Sequence, residues 1–224
     1  MSTILITGAN RGIGRALAEK YLRDNWRVIA AVRKPDECDL NCEKLPLDVT
    51  NGASIAALKA ELGDAPIDVL WNNAGIYADK GVSLDELSDE DWLQSFLVNT
   101  IAPMRLSSAF RQNVLASEQK VFAYTSSKMG SIETKGAGAY AYRSSKAALN
   151  MAVSRLADEI EVEGGSAVVL HPGWVQTDMG GAEADITVDV SVRAMKKLVD
   201  QITPETQSKF NRTYRNYDGA ILPW

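Results

Sequence analysis

Tyr142 and Lys146 stand four residues apart in Tyr142-Arg143-Ser144-Ser145-Lys146, early in a long helical pattern. A separation of four puts two side chains on one helix face. A free phenol titrates near ~10 and is a poor base at neutral pH. A neighbouring ammonium stabilises the phenolate and lowers that value. The pair is therefore suited to passing a proton to or from a carbonyl or alcohol oxygen. Tyr140, two residues earlier, faces another way.

A second chemical feature is the run Thr7-Gly8-Ala9-Asn10-Arg11-Gly12-Ile13-Gly14, between the first apolar run and the first amphipathic stretch. Gly8 permits a tight turn, Gly12 lets the backbone approach a pyrophosphate, and Gly14 allows helix and strand to pack closely. The helix start then offers free N–H groups and a positive dipole end to phosphates. The spacing, Gly-x-x-x-Gly-x-Gly, differs from the commoner Gly-x-Gly-x-x-Gly. Cofactor choice is read after the second strand, where an acidic residue suits the ribose hydroxyl of NAD and an arginine suits the 2′-phosphate of NADP. Here Val28–Val32 is followed by Arg33-Lys34, and the first acidic residue, Asp36, comes only after Pro35. With Arg11 in the glycine loop, two or three cations favour NADP(H) over NAD(H) by charge complementarity.

The elements that must hold these groups alternate from end to end. Thr3–Thr7, Trp26–Val32, Lys44–Leu47, Ile67–Trp71, Val121–Thr125, Ala167–Leu170 and Ala220–Leu222 read as strands. Gly12–Arg23, Ser54–Leu62, Asp89–Leu115, Tyr140–Val162 and Ser191–Ile202 read as helices. Several strands are unbroken runs of Val, Ile, Leu and Ala, the pattern of a parallel sheet covered on both faces. The expected fold is α/β: a Rossmann-type, doubly wound parallel sheet of about seven strands in one domain. The glycine-rich, acidic stretch 174–188 breaks the rhythm and is expected to be a substrate lid.

Composition narrows the function classes. The chain has 224 residues, 46% of them hydrophobic and 24% charged, which suits one soluble domain with a sizeable core. A net charge of −5 without a basic block makes nucleic acid and anionic membranes poor partners. No apolar run approaches the ~20 residues of a membrane span, and Met1-Ser2-Thr3 lacks a basic signal flank. A cytoplasmic protein is expected, with Cys38 and Cys42 as reduced thiols and no metal site. His171, the only histidine, ends an apolar strand and reads as structural.

Together these residues resemble the short-chain dehydrogenase/reductase family in its compact form. The resemblance covers nearly the whole chain: Thr7–Gly14, Asp48-Val49-Thr50, Asn72-Asn73-Ala74-Gly75, Asn99, Ser127, Tyr142 with Lys146, and Pro172-Gly173, in order. The stretches Tyr140–Asn150, His171–Gly180 and Tyr217–Trp224 are similar to its C-factor and small carbonyl-reductase branch. The resemblance implies Tyr142 as acid/base and Ser127 on the substrate oxygen, with Ser126 the competing assignment. It implies Lys146 on the nicotinamide ribose, lowering the Tyr142 pKa, and Asn99 holding a relay water. Asp48 and Val49 would meet the adenine, and Asn72, Asn73, Ala74 and Gly75 the adenosine ribose and strand edge. Val175 and Thr177 would contact the nicotinamide amide or phosphates after the Pro172–Gly173 turn, and Gly8, Asn10, Arg11, Gly12, Ile13, Gly14 and Arg33 complete the cofactor set.

The expected function is an NADP(H)-dependent oxidoreductase acting on a small carbonyl or alcohol. Its walls would include Lys128, Met129, Trp174 and Met179. A homodimer or homotetramer through the two long helices is expected from the resemblance. A dinucleotide-binding signalling protein is the principal alternative. A sugar-nucleotide epimerase would need more than the roughly 50 residues after Pro172-Gly173 for its substrate domain, and a purely structural dimer module leaves the glycine motif without a purpose.

Overall fold

The computed structural model describes residues 1–224. Seven strands form one parallel sheet: β1 (Thr3–Thr7), β2 (Arg27–Val32), β3 (Glu43–Pro46), β4 (Val69–Asn72), β5 (Val121–Thr125), β6 (Ser166–His171) and β7 (Thr213–Asn216). Their order is β3-β2-β1-β4-β5-β6-β7, so the chain reverses direction across the sheet between β1 and β4. Helices α1 (Gly12–Arg23), α2 (Gly52–Leu62), α3 (Asp89–Phe96), α4 (Ala102–Leu115), α5 (Tyr140–Ile160) and α6 (Val188–Asp200) cover both faces. The expected Rossmann-type doubly wound fold is the one observed.

The unbroken apolar strands divide their side chains between two cores. Successive residues of a strand point to opposite faces, so Leu5 packs with Phe110, Leu149 and Val153, while Ile4 and Ile6 pack with Leu17, Tyr21 and Val192. All five residues of β1 are buried. Trp71, also fully buried, donates its indole N–H to Thr125 Oγ1 at 3.0 Å, which locks β4 to β5. No helix is long and apolar enough to cross a membrane.

Two expectations are corrected. The seventh strand is not Ala220–Leu222 but β7, which pairs with β6 from Val168↔Thr213 to His171↔Asn216. Only Tyr214 of β7 is buried, so this edge strand lacks the apolar run that marks the others. Ala220–Leu222 instead folds back on β7 through an antiparallel bridge between Arg215 and Ile221. The long helix expected over Asp89–Leu115 is also not uniform: a π-helical turn, Leu97–Ile101, separates α3 from α4 and contains Asn99.

Candidate active site

A cleft of about 870 Å³ opens along the carboxyl ends of the strands, beside the β1/β4 switch point where doubly wound sheets bind ligands. The β1–α1 loop forms one wall. At Gly14 a Cβ would collide with the Gly8 carbonyl oxygen, so only glycine lets α1 start this close to the strand end. Gly12 has φ +54° and lines the cleft, with the Thr177 methyl 3.6 Å from where its Cβ would stand. The N-cap residue of α1, Arg11, makes no side-chain cap, and the first turn holds no acidic residue. Its N–H groups are left for an anion. Thr7 Oγ1 accepts from the backbone of both Asn73 and Ala74 at 3.0 Å, and Asn73 Nδ2 donates to the Thr7 carbonyl at 3.1 Å. These bonds fasten the glycine loop to the segment after β4.

Arg33 lines the cleft, whereas Lys34 turns to Glu37 at 2.6 Å. Asp48 Oδ1 accepts from the Thr50 amide and hydroxyl at 2.9 and 2.7 Å, and those bonds lower its pKa. Arg11 Nη1 reaches across to Asp178 Oδ2 at 2.8 Å, and Lys80 Nζ donates to the Met179 carbonyl at 2.9 Å. The segment 174–187 is thus tied to the glycine loop and to Lys80. Its own fold is held by a parallel bridge between Val175 and Ile186 and by Trp174 Nε1 donating to Gly180 O at 2.9 Å. Glycine loop, cation and cleft volume fit a dinucleotide.

At the inner end Tyr142 is 7% and Lys146 4% exposed, and both line the cleft. The Lys146 ammonium donates to the Thr125 carbonyl at 2.9 Å and lies 5.8 Å from the centre of the Tyr142 ring. Burial pushes the Lys146 pKa down to about 8. Burial likewise pushes the Tyr142 phenol up to about 12; the facing Ser127 hydroxyl pulls it down and the Tyr77 phenol pushes it up further. Desolvation sets the direction of the Tyr142 shift, and the Lys146 ammonium is turned toward the Thr125 carbonyl. Ser126 Oγ is bonded to Asn150 Oδ1 at 2.8 Å, which leaves Ser127 as the hydroxyl facing Tyr142. Asn99 is fully buried: its Oδ1 accepts from Ile76 N at 2.9 Å, and its Nδ2 donates to Ile76 O and Ser145 Oγ at 3.0 Å. Both Nδ2 hydrogens of Asn99 are thus bonded within the protein, and its Oδ1 accepts one bond.

The family model for short chain dehydrogenases matches residues 2–186. The chain belongs to the short-chain dehydrogenase family. It is 41% identical over 161 residues to C-signal of Myxococcus xanthus, covering 71% of this chain and 93% of that protein. The crystal structure of an NADPH-bound carbonyl reductase from chicken fatty liver superposes with TM-score 0.87 at 32% identity, covering 100% and 99% of the two chains. A putative short-chain dehydrogenase/reductase from Burkholderia multivorans with bound NADP gives 0.89 at 28% identity, again over 100% and 99%.

Within this short-chain dehydrogenase, most residues expected at the cofactor line the cleft: Gly8, Asn10, Arg11, Gly12, Ile13, Arg33, Asp48, Val49, Asn73, Ala74, Gly75, Pro172 and Thr177. Gly14, Gly173 and Val175 do not line it. A Cβ at Gly173 would stand 2.6 Å from Ile186 Cδ1, and Val175 is 4% exposed. Asn72 is buried at the end of β4 against Ser107 Oγ. Three residues with no signal in the sequence stand around the Tyr142–Lys146 pair. Tyr77 stacks on Tyr142, Asp79 bonds the start of α5, and the Tyr214 hydroxyl donates to the Ser127 carbonyl.

Proposed function

We propose that this oxidoreductase is an NADP(H)-dependent reductase of small carbonyl compounds in which Tyr142 delivers the proton. The observation that carries this reading is one cleft shared by the glycine loop, Arg33 and the buried Tyr142–Lys146 pair. When bound, NADP(H) supplies the hydride. The chain does the rest. The backbone of the β1–α1 loop meets the pyrophosphate, and Arg33, with Arg11, meets the 2′-phosphate. Lys146 reaches the ribose hydroxyls. The Ser127 hydroxyl hydrogen-bonds the substrate oxygen and orients it toward the Tyr142 phenol. A phenol held up to about 12 is fully protonated at neutral pH, which suits an acid that donates to a developing alkoxide. Lys146, at about 8, remains mostly cationic at pH 7 and favours the phenolate left behind. The segment 174–188 acts as the lid over the substrate.

The similarity to C-signal favours a second reading, a dinucleotide-binding signalling protein. One experiment separates the two. Purified protein is mixed with NADPH and a panel of ketones, aldehydes and quinones, and loss of NADPH absorbance is followed. Turnover supports the reductase; tight NADPH binding with no turnover on any carbonyl supports the signalling protein. In the same assay Arg33→Ala weakens NADPH binding much more than NADH binding, and an equal effect on both contradicts the phosphate assignment.

A further inference from the structure

Helix α5 carries Tyr142 in its first turn but has no cap of its own. Ala139, at the N-cap position, has a left-handed backbone at φ 56° and no side chain that accepts, and the first turn holds no acidic residue. The leading N–H groups of a helix need acceptors when water cannot reach them. Ala141 and Tyr142 are both buried. Their acceptor comes from 62 residues upstream: Asp79 Oδ2 takes the Ala141 N–H at 2.8 Å, and Asp79 Oδ1 takes the Tyr142 N–H at 3.1 Å. The Asp79 side chain is itself 1% exposed. A carboxylate buried that deeply is costly unless its oxygens are bonded. Here the helix start supplies both charge-assisted bonds and the positive end of its dipole.

The ring of Tyr142 is held by the same segment. Tyr77 stacks on it with centroids 4.4 Å apart and planes at 22°. The segment is fixed at its root as well, because both the N–H and the carbonyl of Ile76 are bonded to the Asn99 side chain. We propose that Tyr77 and Asp79 are positioning residues for Tyr142, Asp79 fixing its backbone and Tyr77 its ring. Together they set the phenol oxygen against Ser127 and Lys146. This deepens the reductase reading and rests on it. A reacting group displaced by ~1 Å can lose on the order of 100-fold in rate, and the stack and the cap restrain different motions of one side chain.

The test measures kcat, KM, NADPH affinity, and hydrogen exchange at the Ala141 and Tyr142 amides in wild type, Asp79→Ala, Asp79→Asn, Tyr77→Phe, Tyr77→Ala and Tyr142→Phe. Asp79→Ala is expected to lower kcat roughly 10- to 100-fold with NADPH affinity within about twofold. Exchange at the two amides accelerates roughly fivefold, the effect of a lost cap. Asp79→Asn keeps one acceptor oxygen and recovers part of both losses. Tyr77→Phe keeps the stacked ring and recovers most of what Tyr77→Ala loses. Unchanged kcat and unchanged exchange in Asp79→Ala would overturn the inference. If Asp79→Ala does not fold, equal kcat in Tyr77→Ala and wild type overturns it instead. An active Tyr142→Phe enzyme sinks the functional reading. An inactive Tyr142→Phe beside fully active Tyr77→Ala and Asp79→Ala sinks the positioning role alone. With no turnover on any carbonyl, amide exchange still decides whether Asp79 caps the helix.

Discussion

Burial drives Tyr142, Lys146 and His171 toward their neutral forms, and His171 responds most simply. Its imidazole is 6% exposed, its Nδ1 has no hydrogen-bond partner, and burial lowers its pKa to about 4, with Lys128 lowering it further and Asp218 opposing. An unfolded histidine titrates near ~6.5. Between those values the unfolded chain binds the extra proton, so stability is full above ~6.5 and is lost as pH falls toward 4. Between about pH 7.5 and 5 the wild type should lose about 2 kcal/mol more than a His171→Gln variant. Urea unfolding of both proteins at the two pH values measures this, and parallel pH curves would contradict it. At this scale the legible residues were those whose type and spacing imply chemistry within one element: Tyr142 with Lys146, or Arg33 at a strand end. Asp79 was not legible, because the amides it bonds lie 62 positions away. The resemblance favoured Ser127 over Ser126, and in the fold Asn150 takes the Ser126 hydroxyl.

The elements position the site mainly through their ends. Helix α1 begins uncapped toward the cleft, whereas α5 begins capped by a distant carboxylate. One start is open to an anion; the other is closed to hold a phenol still. Arg11, expected as a cation for the 2′-phosphate, is paired with Asp178, and the two side chains are 71% and 77% exposed. An exposed pair is worth less than about 1 kcal/mol, so a dianionic phosphate can take Arg11 over. Asp178→Ala should therefore tighten NADPH binding by up to about fivefold at low ionic strength, with the gain shrinking in about 0.5 M salt. Weaker binding in a fluorescence titration would contradict the exchange. Strand and helix ends shifted by one to three residues from expectation, as with α6, which begins at Val188 instead of Ser191. The π turn around Asn99 and the polar edge strand β7 were invisible because neither leaves an apolar period in the sequence.

For the whole molecule, the fold was legible because every central strand is buried on both faces and so reads as an unbroken apolar run. The net charge of −5 conceals a local cation at the cleft, Arg33, and the second that Arg11 brings once released. The outer face of the long helices leaves Leu93 71%, Ile101 41% and Met151 65% exposed. We propose that these side chains meet their counterparts in a second copy of the chain across a twofold axis. Sedimentation should give a multiple of the chain mass for the wild type and a single chain for a Leu93→Glu, Met151→Glu double variant. A wild type that sediments as one chain rules out this pairing.

The central claim is that Tyr142 carries the proton in an NADP(H)-dependent reduction. It is tested most directly by Tyr142→Phe, with turnover of a carbonyl identified from the panel measured beside NADPH affinity. The variant is expected to bind NADPH within about twofold of wild type and to lose on the order of 100-fold or more in kcat. Undiminished turnover in Tyr142→Phe would contradict it.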